Sequence, residues 1–160
     1  MIRTILADLT NEEHAKSYCA LLAMYMTDPM GDCLAHTPLQ EQHLIETLSM
    51  MPHAMVILAY DDATMVYIGM ATCFVTFSTF KIAPVINIHD IAVDPQWRGQ
   101  GIGRKILETI EAIGEEIGCG KITLEVRIDN PQAQALYRSM GFDNCQPPMM
   151  FWTKDLTSHP

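Results

Sequence analysis

The sequence predicts an α/β fold, and three observations predict it. An apolar strand at residues 86–93 runs into a glycine-rich turn and at once into a helical pattern. Two further apolar runs, 54–60 and 66–77, read as the arms of a hairpin around Asp61, Asp62, Ala63 and Thr64. Helical segments with their own start signals stand before and after these strands. The 160-residue chain has the length of one domain, residues 1–160, and can bury a sizeable core. Its 49% apolar and 18% charged content is that of a globular protein.

Taken in order, residues 2–6 form a short apolar strand. Thr10 and Glu13 have the form of a capping box, which starts a helix carrying Ala15, Tyr18, Cys19, Leu22, Tyr25 and Met26 on one side. That helix ends near Asp28, Pro29, Met30 and Gly31. Thr37 with Pro38 marks a second helix start, and Leu44, Ile45 and Leu48 make its buried stripe. The hairpin follows, then Phe77, Ser78, Thr79 and Phe80, a bend at 81–84, and the strand 86–93. Beyond the glycine turn, Ile102, Ile106, Leu107, Ile110 and Ile113 recur at helical spacing until Gly118, Cys119 and Gly120. Residues 121–126 form the next strand. Asn130 caps a helix from Pro131 to Met140, which Gly141 ends. Residues 149–153 read as a last strand.

The strand, turn and helix at 86–118 have the geometry of an anion site. The first amides of a helix lack an intrahelical acceptor, and the helix dipole places partial positive charge there. Gly99, Gly101 and Gly103 let a pyrophosphate approach the main chain without Cβ clashes, and Arg98 and Arg104 flank the turn. Counting from Gly99, the sixth position is Arg104, so the dinucleotide fingerprint fails; a Gly-Lys-Ser/Thr phosphate loop is absent too.

The net charge of −9 disfavours nucleic acid and anionic membrane surfaces as partners and favours a cationic one. Five cysteines, with no Cys-x-x-Cys, point to buried thiols and give neither a metal site nor a disulfide framework. The first residues lack the long apolar stretch of a signal peptide, so the protein is read as cytoplasmic. The 12 methionines suit adaptable core filling.

Arg98, Gly101 and Gly103, together with Leu124-Glu125-Val126, Asn130, Ala133, Ala135-Leu136-Tyr137 and Met140-Gly141-Phe142, resemble the GNAT acyltransferase superfamily. The resemblance runs from about residue 87 to 155. It implies a mixed, twisted, centrally splayed β-sheet with helices on both faces, an acceptor half at about 1–85 and a coenzyme half at about 86–155. It also implies acetyl-CoA as co-substrate and a small, cationic primary amine as acceptor. The acceptor alone could instead be a protein N-terminus or lysine, and a coenzyme-binding regulatory module without turnover is the reading from another class. The resemblance leaves oligomeric state open, with a homodimer among the arrangements found in such proteins.

Direct transfer to an amine needs a neutral nucleophile, a donor to the oxyanion and a proton for the departing thiolate. By resemblance, Tyr137 supplies that proton and Asn130 lies by the pantetheine arm. Residues Arg98, Gly99, Gln100, Gly101, Ile102, Gly103 and Arg104 hold the pyrophosphate, and the main chain of Ile91, Ala92 and Val93 borders the thioester on a bulged strand. His89 is the candidate base, because an imidazole titrates near neutral pH; a polyamine-acetyltransferase pattern would have glutamate in its place. Successive strand residues alternate, so His89 and Asp90 are expected on opposite faces, with Asp90 orienting a cation. The loop between the first two helices borders the acceptor in this family, which makes Asp28, Asp32 and His36 candidates. Phe77 and Phe80 resemble an acceptor wall of the polyamine and thialysine branch.

Overall fold

The computed structural model describes residues 1–31 and 33–156. Five strands, β1 (Ile2–Leu6), β2 (Ala54–Asp61), β3 (Val66–Ser78), β4 (Ala83–Val93) and β5 (Lys121–Leu124), form one sheet in the order β1-β2-β3-β4-β5. The first four pair antiparallel as neighbours in sequence; β5 runs parallel to β4. A parallel neighbour requires a crossover, and helix α3 (Ile102–Glu116) supplies it.

Helices cover both faces, as side-chain alternation along the strands demands. Helices α1 (Glu12–Thr27) and α2 (Pro38–Met50) pack Tyr18, Leu21, Leu22 and Leu48 on Val56, Leu58, Met70 and Ala92. The intervening positions Ile57, Ala59, Ala71, Cys73, Ile86 and Ile88 face the other way. They meet Ile102, Ile106, Leu107 and Ile110 of α3 and Tyr137 of α4 (Pro131–Ser139). Burial of each such side chain contributes about 1.5–3 kcal/mol, so the sheet is clamped between two apolar layers.

Local signals set most boundaries. Thr37 and Gln40 exchange the bonds of a capping box at the start of α2, with Pro38 at the first helical position. Asn130 caps α4 through Ala133 N–H, and Gly141 beyond it has φ +85°. The start of α1 differs from expectation by one residue. Asp8 captures both the amide and hydroxyl of Thr10, so Asn11 caps the helix, accepting from Glu13 and His14.

The strand expected at residues 149–153 is absent. After Phe142 the described chain has no helix or strand, and Met149, Met150, Phe151 and Trp152 are each at least 75% exposed. Pro147 and Pro148 remove two amide donors just before the apolar run. A β-prone run becomes a strand only when a neighbouring edge takes up its backbone. Among the described residues, no helix is long and apolar enough to cross a membrane.

Candidate active site

The site begins where β4 changes partners. Its parallel pairing with β5 runs from Val85 opposite Lys121 to Ile88 opposite Leu124, and there it ends. Pairing with β3 continues to Val93, but the register slips: Thr72 faces Asp90 while Cys73 faces Ile88. His89 is therefore an extra residue, a bulge that kinks the strand. Beyond it, β4 has one hydrogen-bonded edge and one open edge.

Main-chain parity shows which groups line the open edge. Gly120 N–H donates to the Pro84 carbonyl at 2.9 Å, so before the bulge the even-numbered residues turn their main chain towards β5. After it, Asp94 N–H donates to Ile68 of β3 at 2.9 Å, while the Val93 carbonyl accepts from Arg98 Nε at 3.1 Å on the other side. Paired and unpaired residues alternate in an antiparallel ladder. Ile91 and Val93 hence present N–H and C=O to the gap, and Ala92 spends its own on β3.

The bulge also overturns the expected alternation at His89 and Asp90. Both side chains lie on the face covered by α1 and α2. His89 meets Phe74 edge-on, ring centroids 5.6 Å apart, and Asp90 stands opposite Thr72 in the ladder. Thr72 in turn bonds the Tyr18 hydroxyl of α1 at 2.9 Å. His89 is exposed, Asp90 half-buried, and Tyr18 and Thr72 buried.

Burial raises the Asp90 carboxyl above the usual carboxylate range, against the opposing pull of His89 and Thr72. Burial likewise pushes the Tyr18 phenol up to about 12, with Asp90 adding to the shift. The Tyr25 phenol, two helical turns further along α1, is raised by burial and then by Asp90 and Asp28. The Cys73 thiol, also fully buried, is pushed up to about 12, so it stays an inert thiol.

Across the gap, Tyr137 reaches the same place from α4. Burial pushes its phenol up to about 12, with a contribution from Tyr25 on the opposite side of the sheet. Its ring leans on Phe142, centroids 5.9 Å apart. The gap thus brings a residue of the C-terminal half within electrostatic reach of α1.

The glycine turn completes the site. Gly99 and Gly101 have φ +78° and +79°, and a Cβ at either would meet nothing within 4 Å, so their outer face is open. Gly101 caps α3 without a side-chain bond. The first helical bond is Lys105 N–H to Gly101 C=O, which leaves Ile102, Gly103 and Arg104 amides with no acceptor inside the helix. Gly103 serves a different purpose: a Cβ there would stand 3.0 Å from Leu136, so it lets α3 and α4 approach. Ile102 is buried in the core, while Gln100 is exposed.

Both arginines flanking the turn are engaged by side chains of the protein itself. Arg104 donates to Ser139 Oγ at 2.7 Å and to the Met140 sulfur, at the end of α4. Arg98 donates from Nη2 to Asp28 Oδ2 at 2.8 Å. This bond, with the Met30 amide, holds the Asp28 carboxyl below its ordinary range. Asp28 follows directly on α1, so the pair ties the loop between α1 and α2 to the glycine turn.

Not every candidate joins this group. Phe77 is 60% exposed at the end of β3, on the same parity as Cys73 and Val75, hence on the face away from His89. Phe80 is fully exposed at the hairpin tip. His36 is half-buried in the loop before α2, and Asp32 lies outside the described residues. Tyr18, Tyr25 and Thr72 enter the site without having been singled out as functional. Among the described residues no group of three or more His, Cys, Asp or Glu is arranged to hold a metal ion.

Comparison with known proteins agrees with this fold. The acetyltransferase (GNAT) family matches residues 16–142. The aminoglycoside N(6')-acetyltransferase type 1 of Stenotrophomonas maltophilia is 32% identical over 69 residues, 43% of this chain and 45% of that protein. The thialysine N-epsilon-acetyltransferase of Bos taurus is 35% identical over 74 residues, 46% of this chain and 43% of that protein. The [ribosomal protein bS18]-alanine N-acetyltransferase of Escherichia coli K12 is 40% identical over 70 residues, 41% of this chain and 47% of that protein. The chain thus spans less than half the length of these curated relatives. A crystal structure described as a probable acetyltransferase superposes with a TM-score of 0.84 at 21% identity, covering 98% of this chain and 99% of that one. AAC(6')-Iy, solved with a bisubstrate analogue of coenzyme A, superposes at 0.76 with 18% identity over 97% of this chain and 99% of that one.

Proposed function

The chain belongs to the GNAT family of acetyltransferases, and from that premise we propose that it transfers acetyl from acetyl-CoA to a primary amine of a small cationic molecule. One observation carries the reading. The break in β4 at His89 opens a gap that faces the amides of α3 on one side and a half-buried carboxylate, Asp90, on the other.

The residues fit the coenzyme. Gly99 and Gly101, at positive φ that a side chain would strain, present an open main-chain face, and the unbonded amides at 102–104 attract a pyrophosphate. Arg98 joins it on leaving Asp28, with Gln100 at the rim. Ile91 and Val93 offer N–H and C=O to a pantetheine-like amide chain, and Asn130 stands at the start of α4 beside it. Acetyl-CoA supplies the activated acyl group as a thioester.

The chain's own groups supply the rest. Tyr137 keeps its proton at any physiological pH because burial pushes its phenol up to about 12, so it acts as the donor to a departing thiolate. His89, exposed on the acceptor face, takes the amine proton directly or through water. Asp90, with Tyr25 beside it, attracts the acceptor's positive charge. Holding both substrates in one gap supplies much of the rate without an enzyme-bound nucleophile, which leaves Cys73 to the core.

The acceptor class has a second reading. A relative that acts on a ribosomal-protein alanine is as similar as those that act on aminoglycosides and thialysine, and the open edge beside β4 could take a peptide N-terminus. Acetyl transfer to polyamines, thialysine, aminoglycosides and short peptides, read by mass, separates the two. Transfer to one small-amine class is expected. Transfer to peptides alone moves the assignment to the second reading, and coenzyme binding with no transfer to anything leaves a regulatory module.

A further inference from the structure

The least explained polar groups in the core are two hydroxyls. Tyr18 and Thr72 are 1% and 3% exposed, packed among Leu21, Leu22, Leu58, Met70 and Ala92. A Phe and a Val of the same shape would fill this space with no polar atom to satisfy, and such an exchange is often neutral for stability. Their mutual bond at 2.9 Å satisfies the pair but gives no reason for having it.

The hydrogen count supplies a reason. Each hydroxyl has one hydrogen, and an ionised carboxylate has none. Thr72 bonds the Tyr18 hydroxyl and stands directly opposite Asp90 in the β3–β4 ladder, within reach of its carboxyl. It can donate to only one. If it donated to Tyr18, the buried side of the Asp90 carboxylate would face a bare oxygen. The arrangement that suits the charged form is one-directional: Tyr18 O–H to Thr72 Oγ1, then Thr72 O–H to Asp90.

Asp90 needs that support because the described residues give it no ion pair. The titratable or polar groups that face it are Tyr18 and Tyr25 from α1, Thr72 and Cys73 from β3, and its neighbour His89 on β4. None of the tyrosines or the thiol is cationic. A half-buried carboxylate with no ion pair of its own, beside an exposed imidazole that lies edge-on to Phe74 and steadied from behind by a hydroxyl, is built to receive a cation from the open side.

We propose that Tyr18 and Thr72 are positioning residues that hold Asp90 ionised and aimed at the gap, where it receives the ammonium group of the acceptor. This rests on reading the site as an amine acetyltransferase, and it names what selects a cationic amine over a neutral one: a counter-charge set by α1, through a residue of β3, at the bulge of β4.

The test uses the full chain with Thr72→Val, Thr72→Ser and Tyr18→Phe. Thr72→Val should raise KM for the cationic acceptor about tenfold, the scale of a bond to a charged group, with KM for acetyl-CoA unchanged. Losing the donor lifts the Asp90 pKa further, so the acid limb of kcat/KM for the acceptor should move to higher pH. Thr72→Ser keeps the hydroxyl and should restore both; Tyr18→Phe should move both in the same direction by less. A Thr72→Val enzyme with unaltered acceptor KM and acid limb, or a serine variant no better than valine, would overturn the proposal. Carboxyl 13C titration of Asp90 stands apart from turnover. If the parent acetylates no amine, the function reading falls, yet an Asp90 titration unmoved by Thr72→Val would still overturn the hydroxyl chain.

Discussion

The two sides of the gap are made from different materials. Towards α3 the surface is main chain: the amides at 102–104, the open outer faces of Gly99 and Gly101, and the N–H and C=O groups of Ile91 and Val93. Towards α1 it is side chain: Tyr18, Tyr25, Thr72, His89 and Asp90, drawn from three elements. A backbone surface depends on φ and on helix ends, so it can stay constant while most side chains vary. A side-chain surface can be retuned one residue at a time. The contrast suits a protein with one constant substrate and one that differs among relatives.

The contrast can be broken most directly at Tyr137, the one side chain on the backbone-built side that is assigned chemistry. Tyr137→Phe should lower kcat by about 10²–10⁴, the range for a lost proton donor, and leave acetyl-CoA affinity unchanged in a direct binding assay. Unchanged turnover removes the donor assignment. The same phenol sets a pH expectation. Its pKa is pushed up to about 12, so the donor form persists below that value. Turnover should show no fall assignable to this tyrosine at pH 10, and loss of that tolerance would place the titrating group elsewhere.

Gly101→Val probes the backbone itself. A branched residue at φ +79° carries strain of about 1–3 kcal/mol, so coenzyme affinity should fall roughly tenfold to a hundredfold while the far-UV circular dichroism stays native. Undiminished affinity would move the anion site away from this turn. The smallest effect is expected at Asp28, which competes for Arg98. Asp28→Asn removes the ion pair and should tighten coenzyme binding by about threefold, the scale of a partly exposed pair. Weaker binding would make Asp28 a support for Arg98 and not a competitor.

The two materials also differ in how far the sequence discloses them. Glycines, a following helix and Arg98 are contiguous, so the turn and the start of α3 could be read from spacing alone. The same holds for Asn130 and the end of α4 at Gly141. The other side is assembled from residues 18, 25, 72, 89 and 90, and nothing local links a tyrosine in α1 to a threonine in β3. One clue was present. Ile86, Ile88, Ile91 and Val93 are spaced two, three and two apart, so the apolar period skips a residue at the bulge. Period-2 reasoning applied across that skip put His89 and Asp90 on opposite faces. The strand expected at 149–153 does not form because β propensity describes the segment and not whether an edge is there to receive it, and the parity that Phe77 shares with Cys73 is a property of the sheet that a short aromatic pattern does not carry.

The bulge at His89 can also be thought of as a phase shift in a wave. Ahead of it the even-numbered residues of β4 look towards α3; behind it the odd-numbered ones do. Were His89 instead paired as an ordinary residue of a regular ladder, the wave would run on without the shift. Ile91 and Val93 would then turn to α1, Asp90 and Ala92 to α3, and the strand would keep its composition while exchanging its two surfaces. A single residue with no partner in the ladder therefore acts as the molecule's sense of left and right.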